Sequence, residues 1–170
     1  VGSEMCIRDR PKPMTPKDAV GMAQRYFSRS LPTIDSALRT ADFQAGEDAM
    51  DVAWRRDRAF TLHQAAERAY ACFLLVHTFY FPRSHNIKFL RSLAEDIDKR
   101  LVEAWPREQR RDRRRFETLK RAYVEARYSD QYDVSVEDLN VLATCARRLR
   151  DLVAKACEER LAKLKDDAGT

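Results

Sequence analysis

Hydrophobic and polar positions along this chain repeat with a helical period, most densely over residues 60–81, FTLHQAAERAYACFLLVHTFYF. Leu62, Ala66, Ala69, Phe73, Val76 and Tyr80 share one stripe, and the adjoining row reads His63, Glu67, Tyr70, Leu74 and His77. A helix that is apolar over most of its circumference is a buried one. These residues would cover roughly 33 Å at about 1.5 Å per residue, enough to run the length of a small bundle. The other helices are expected to pack around this one.

Upstream, Thr15 reads as an N-cap, with Pro16 at the first helical position and Asp18 three residues beyond the cap. Ala19, Met22, Ala23, Tyr26 and Phe27 form the apolar face of that helix, and Leu31-Pro32 is expected to end it. A second, short helix is predicted from 33 to about 43, with Ile34, Ala37, Leu38 and Ala41 inward and Gly46 as its stop. The pattern over 47–58, around Trp54, fits either a helix or a connection. Downstream, Pro82 marks a turn and Asn86 a cap, followed by a stripe of Ile87, Leu90, Leu93, Ile97 and Leu101. Ala104-Trp105-Pro106 separates a helix over about 107–128, whose inward residues are Phe116, Leu119, Tyr123 and Ala126. Ser135 with Asp138 restarts the chain, and Leu139, Leu142, Ala146, Leu149, Val153 and Ala156 line the last helix. Order is not required after Lys165. With four glycines and no alternating strand pattern, the expected fold is all-α, an antiparallel bundle of about five to six helices.

Composition adds limits. A chain of 170 residues with 44% hydrophobic side chains is one domain's worth of material. Residues 1–10, VGSEMCIRDR, have no periodicity and resemble a translated sequencing adaptor, so they are taken as a non-native leader. The domain is placed at 15–165, as the C-terminal part of a longer protein. Cys6, Cys72, Cys145 and Cys157 form no CxxC pair, which argues against a zinc ribbon or redox motif and fits a reduced, cytoplasmic compartment. The longest apolar run, 69–81, is too short to cross a bilayer and contains His77 and Thr78, so no membrane association is expected. The scarcity of glycine excludes a P-loop or a dinucleotide fingerprint, and neither a nucleophile elbow nor a zinc-protease His pair occurs.

Charge is unevenly placed. The chain carries a net +5, and the segment 107–121 alone holds eight basic residues (Arg107, Arg110, Arg111, Arg113, Arg114, Arg115, Lys120, Arg121) against Glu108, Asp112 and Glu117. Such a run is either a solvated helix face or a surface for phosphate backbones.

Two polar groupings are candidates for chemistry. His63 and Glu67, four residues apart, meet on one helix face, where a carboxylate can orient an imidazole. The pair reads as a buried register-fixing hydrogen bond, a ligand contact, or half a metal site lacking its other ligands. Arg83, His85, Asn86 and Lys88 cluster at a helix N-terminus, where free N–H groups and the helix dipole attract anions. The alternative there is that Asn86 caps and His85 bonds across the turn.

Three blocks then carry a family resemblance: LHQAAERAY at 62–70, LLVHTFYFPRSHNIKFLRSLA at 74–94 and LKRAYVEARYSDQY at 119–132. Together they resemble the HEPN domain family, and more narrowly the HEPN half of fusions that carry a minimal nucleotidyltransferase domain upstream. The likeness covers about residues 15–161. It implies a helical bundle, a homodimer, a prokaryotic and toxin–antitoxin-like or nucleotide-handling role, and a site near the end of the arginine-bearing helix. Many members are ribonucleases with Arg, a spacer of four to six residues, then His. Arg127 matches the arginine, but Tyr132, Asp133 and Val134 stand where histidine is expected. A phenol with an ordinary pKa near 10 is a poor general base, so no catalytic residue is assigned. The Gly-Ser and paired aspartates of a nucleotidyltransferase are also missing, so this chain alone is not expected to transfer nucleotides.

The leading expectation is a nucleotide- or RNA-binding module working with a nucleotidyltransferase domain. In it Arg127 pairs with phosphate, Tyr128 or Tyr132 stacks or hydrogen-bonds, His85, Asn86 and Lys88 add anion contacts, and His63 with Glu67 gives support. No metal or cofactor other than a nucleotide ligand is expected. The alternatives are a metal-independent endoribonuclease in which His63 or His85 replaces the missing histidine, and a dimerisation scaffold.

Overall fold

The computed structural model describes residues 13–46 and 50–170; the proposed leader, residues 1–10, lies outside them. Five α-helices and one 3-10 helix follow one another, α1 (Pro16–Gly46), α2 (Val52–Thr78), α3 (Ile87–Ile97), the 3-10 helix (Lys99–Ala104), α4 (Arg110–Tyr128) and α5 (Val136–Ala168). No strand occurs among the described residues, so the all-α expectation holds. Helix α2 is the hub. It packs on α1, α3, α4 and α5, and its inward face buries Leu62, Ala66, Ala69, Phe73 and Val76 as the periodicity predicted.

Several boundaries differ from the sequence expectation. Thr15 caps α1 through its hydroxyl, which accepts from Asp18 N at 3.1 Å, but Pro32 does not end that helix. One helix runs through it, with Ile34, Ala37, Leu38 and Ala41 buried beyond. Proline removes one i→i−4 bond, at a local cost of about 3 kcal/mol. Burial of that following face against α2 and α5 outweighs it, and Arg68 of α2 donates to Thr33 O at 3.0 Å just past the proline. Helix α2 starts earlier than residue 60, at Val52, where Asp51 accepts from Ala53 N and Trp54 N. It ends at Thr78 with Phe79 left-handed (φ 60), which turns Tyr80 out of the predicted stripe and into solvent.

Helix α3 is also shorter than its hydrophobic stripe. It stops at Ile97, Asp98 caps the 3-10 helix by accepting from Arg100 N, and this tighter turn re-aims Leu101 into the core beside Ala104 and Trp105. Trp105 is buried and donates its indole N–H to Tyr70 Oη at 2.8 Å. Burial pushes the Tyr70 phenol above its ordinary pKa, so it stays a neutral structural partner. Helix α4 begins at Arg110 rather than 107, and α5 continues past Lys165 to Ala168, closed by left-handed Gly169 (φ 71). Cys72, Cys145 and Cys157 are buried free thiols. Among the described residues no helix is long and apolar enough to cross a membrane.

A loop joins α4 to α5; two arginines at the start of α2 hold it, and a third ties α2 to α5. Arg55 Nε donates to Val134 O at 3.0 Å, Arg56 bonds Tyr132 O and Asp130 O, and buried Arg58 reaches Asn140 Oδ1 at 2.9 Å. The Arg55 and Arg56 bonds satisfy loop carbonyls that would otherwise lack partners. They also fix the chain immediately after Arg127, and so the end of α4.

Candidate functional site

The site forms where three elements converge: the first half of α2, the loop before α3, and the last turns of α4. From α2 come Phe60, His63 and Glu67, which share a face at three- and four-residue spacing. Asn86, the cap of α3, accepts from Lys88 N and Phe89 N, and this fixes the loop end that carries His85. From α4 come Tyr123 and Arg127, again four apart.

Glu67 faces both histidines but treats them differently. His85 Nδ1 donates to Glu67 Oε1 at 2.7 Å, whereas His63 Nδ1 lies 3.7 Å from Glu67 Oε2, beyond a direct hydrogen bond. Gln64 donates to that second oxygen at 3.3 Å. The expected His63–Glu67 bond is therefore replaced by one across the fold, from Glu67 to His85. His63 instead donates from Nε2 to His85 O at 3.0 Å, because a carbonyl only accepts. His63 is thus the Nε2–H tautomer, its side chain is 0% exposed, and its Nδ1 has no partner. Burial holds its pKa down at about 4; the bond to His85 O opposes that, and the charge of Arg127 reinforces it. His63 is neutral at physiological pH.

The His85 ring, 53% exposed at its side chain, stacks on Tyr123 with centroids 4.1 Å apart and planes 11° from parallel. With Nδ1 donating to a carboxylate, the acceptor lone pair of that tautomer falls on Nε2. The Arg127 guanidinium lies 5.0 Å from the same Tyr123 ring, 4.5 Å from Phe60 and 5.0 Å from Tyr128. It donates from Nε and Nη2 to Tyr123 O, its own i−4 carbonyl, at 3.1 and 2.7 Å. No carboxylate pairs with Arg127 among the described residues, and the side chain is exposed.

The predicted residues therefore divide. Arg127, exposed Tyr128 (76%) and His85 come together. Tyr132 does not join them: it is 2% exposed, its hydroxyl donates to Thr118 O at 2.8 Å, and burial raises its pKa, so it is a core residue with no free phenol. Asn86 spends its amide oxygen as the cap of α3, so only its Nδ2 donors are left to meet an anion. Lys88, in the first turn of α3, is exposed and lines a groove with Phe116 of α4. Phe60 and Tyr123 were missed as site residues, although Tyr-x3-Arg on one helix and Phe-x2-His on another were visible as aromatic neighbours of the chosen polar groups. Among the described residues no group of three or more His, Cys, Asp or Glu side chains is placed to hold a metal ion.

Comparison with protein families finds a HEPN domain over residues 38–159, a span that contains every candidate site residue above. No curated protein matches the chain. The match takes in most of the chain, the blocks that suggested it lie inside it, and the helical architecture agrees: the chain belongs to the HEPN domain family.

Proposed function

We propose that this HEPN domain is a nucleotide- or RNA-binding module that takes a phosphate at Arg127 and acts, as a homodimer, beside a minimal nucleotidyltransferase domain, fused upstream or separate, in a nucleotide-handling or toxin–antitoxin-like role. The observation that carries this reading is the state of Arg127. Its guanidinium is exposed, held in place over three aromatic rings, bonded only to a neutral carbonyl and opposed by no carboxylate. A preorganised, uncompensated guanidinium loses little entropy on binding an anion, and its free Nη1 side is available to a phosphate oxygen. The adjacent exposed ring of Tyr128 offers a stacking surface for a base. Calorimetric titration with ATP, GTP and a short RNA tests it. Arg127→Ala is expected to weaken binding by tenfold or more, the range of one charge-assisted hydrogen-bonded pair of about 1.5–3 kcal/mol. Equal affinity in wild type and variant would remove Arg127 from the role.

The Glu67–His85 pair favours a second reading, metal-independent cleavage of RNA. Glu67 accepts from His85 Nδ1, which puts the acceptor lone pair of that tautomer on Nε2 of a half-exposed ring, the arrangement a general base needs. In that reaction Nε2 takes the proton of a ribose 2′-OH, the 2′-oxygen attacks the adjacent phosphorus, and the P–O5′ bond breaks. The 5′-oxygen leaves with a proton from solvent, the product is a 2′,3′-cyclic phosphate, and Arg127 offsets the charge gathering on the phosphoryl oxygens. Cleavage of labelled RNA that vanishes in His85→Ala and falls in Glu67→Gln supports this reading. Intact RNA at high concentration of folded protein rejects it and leaves binding alone.

A further inference from the structure

Helices α3 and α4 both lie on α2 but pack only marginally on each other. The gap between them is bridged by side chains: His85 stacks on Tyr123 at one end, and the Arg91 guanidinium lies 3.9 Å over the Phe116 ring further along. Beside that second bridge a groove of about 340 Å³ opens, lined by Lys88, Arg91, Arg107, Arg113, Phe116 and Glu117. Its charges do not cancel. Arg91 and Arg107 share one carboxylate, Glu95, and Glu117 is matched by Lys120 at 3.3 Å. Arg113 donates to the carbonyls of Arg107 and Glu108 at 2.7 and 2.8 Å, so its position is fixed while its charge is unopposed. Lys88 has no ion-pair partner among the described residues. The groove is thus a built cationic trough, with one positive group on each wall free of any acid.

It is also in line with the Arg127 site. Arg113, Phe116, Lys120, Tyr123 and Arg127 succeed one another at spacings of three and four, so they share one face of α4. Arg113 and Arg127 stand 14 residues apart on that face, about 21 Å at the helical rise of about 1.5 Å per residue. One nucleotide, whose phosphates adjoin a single sugar, cannot touch both ends; a chain of nucleotides can. We infer that the α3–α4 groove is a second phosphate-binding subsite, taking the flanking backbone of a single-stranded nucleic acid whose other part lies at Arg127. This rests on the reading of Arg127 as a phosphate-binding residue. It makes the ligand an oligonucleotide, and a single strand, because the exposed face of Tyr128 accepts a base only when that base is free of its own stack.

Fluorescence anisotropy with labelled oligouridylates of 2, 4, 8 and 12 nucleotides tests this, with oligodeoxyuridylates and a 12-bp duplex as further arms. The wild type is expected to bind tighter as length grows, and the 12-mer more strongly than the duplex. Lys88→Glu with Arg113→Glu is expected to weaken the 12-mer tenfold or more and leave the dinucleotide unchanged. The slope of log K against log salt should shrink by about 1.4, for two lost contacts at about 0.7 each on a single strand. Because Arg113 also bonds two carbonyls, Lys88→Glu alone is made in parallel; it breaks no bond of its side chain and should give a partial loss of the same kind. Affinity independent of length, or a 12-mer bound equally by wild type and both variants, overturns the groove while Arg127→Ala can still lose the dinucleotide. If wild type binds neither dinucleotide nor 12-mer, the Arg127 reading fails as well. RNA against DNA of equal length then shows whether the 2′-OH is read.

Discussion

The imidazole of His63 joins two carriers of the site: its Nε2–H holds the His85 carbonyl, and its bare Nδ1 faces Glu67 from a fully buried position. Because burial lowers its pKa to about 4, the unfolded chain, with an ordinary histidine near 6.5, binds a proton more readily between those values. The contribution to stability is therefore full above about pH 6.5 and is lost as pH falls towards 4. Half-buried His77, whose Nδ1 donates to Phe73 O at 2.9 Å, is shifted down for the same reason and adds in the same direction. Urea denaturation across pH 7 to 5 should show wild type losing stability faster than His63→Gln, and equal slopes for the two proteins would contradict the argument. At this scale the sequence was informative about residue type and poor about partner. His63, Glu67 and His85 were all visible, but the 2.7 Å bond joins residues 18 positions apart, and helical spacing speaks only to neighbours on one helix. Tyr132 was misplaced for a related reason. A tyrosine in a polar loop looks exposed, and only the neighbouring Thr118 carbonyl, 14 residues away, explains why it turns inward.

Helix α4 shows how a run of like charge resolves into different jobs. Arg107 reaches back to Glu95, Arg121 pairs with Glu125 at 2.8 Å, and Arg115 is only 7% exposed, its Nε donating to Asp138 Oδ1 at 2.6 Å. Asp138 sits in the first turn of α5, where Ser135 Oγ accepts its backbone N–H at 3.0 Å, so this ion pair ties α4 to the cap of α5. Helices α4 and α5 share few other contacts, which gives that tie weight. Arg115→Met should cost about 1–2 kcal/mol in chemical denaturation, below the upper range for a charged hydrogen bond because Asp138 remains partly solvated. No change in midpoint would show the pair to be dispensable. The periodicity predicted the register of α4, including Phe116, Leu119 and Ala126, but counted Arg115 among the outward arginines. Pro32 in α1 is the converse case, a local stop signal overridden by the apolar face on either side of it.

Across the whole molecule one continuous core joins all the helices, with Ala23 and Ile34 of α1 as fully buried as Leu149 and Val153 of α5. The part of α1 ahead of the family match at residue 38 is thus part of the same body. Unfolding should accordingly be a single transition: far-UV circular dichroism, and fluorescence of Trp54 at the start of α2 and of Trp105 beside the 3-10 helix, are expected to coincide in urea. Separate midpoints would divide the core. What the chain's letters determined alone is the helical class, the buried centre on α2 and the caps at Thr15, Asn86 and Ser135, because these follow from period, cap chemistry and side-chain size within a few neighbouring residues. Which imidazole Glu67 holds, which arginine is left unopposed and where α3 and α4 part to leave a groove were decided by packing alone. Those features depend on pairings between residues distant in the chain, and a charge counts as free or spent only once its neighbours in space are known.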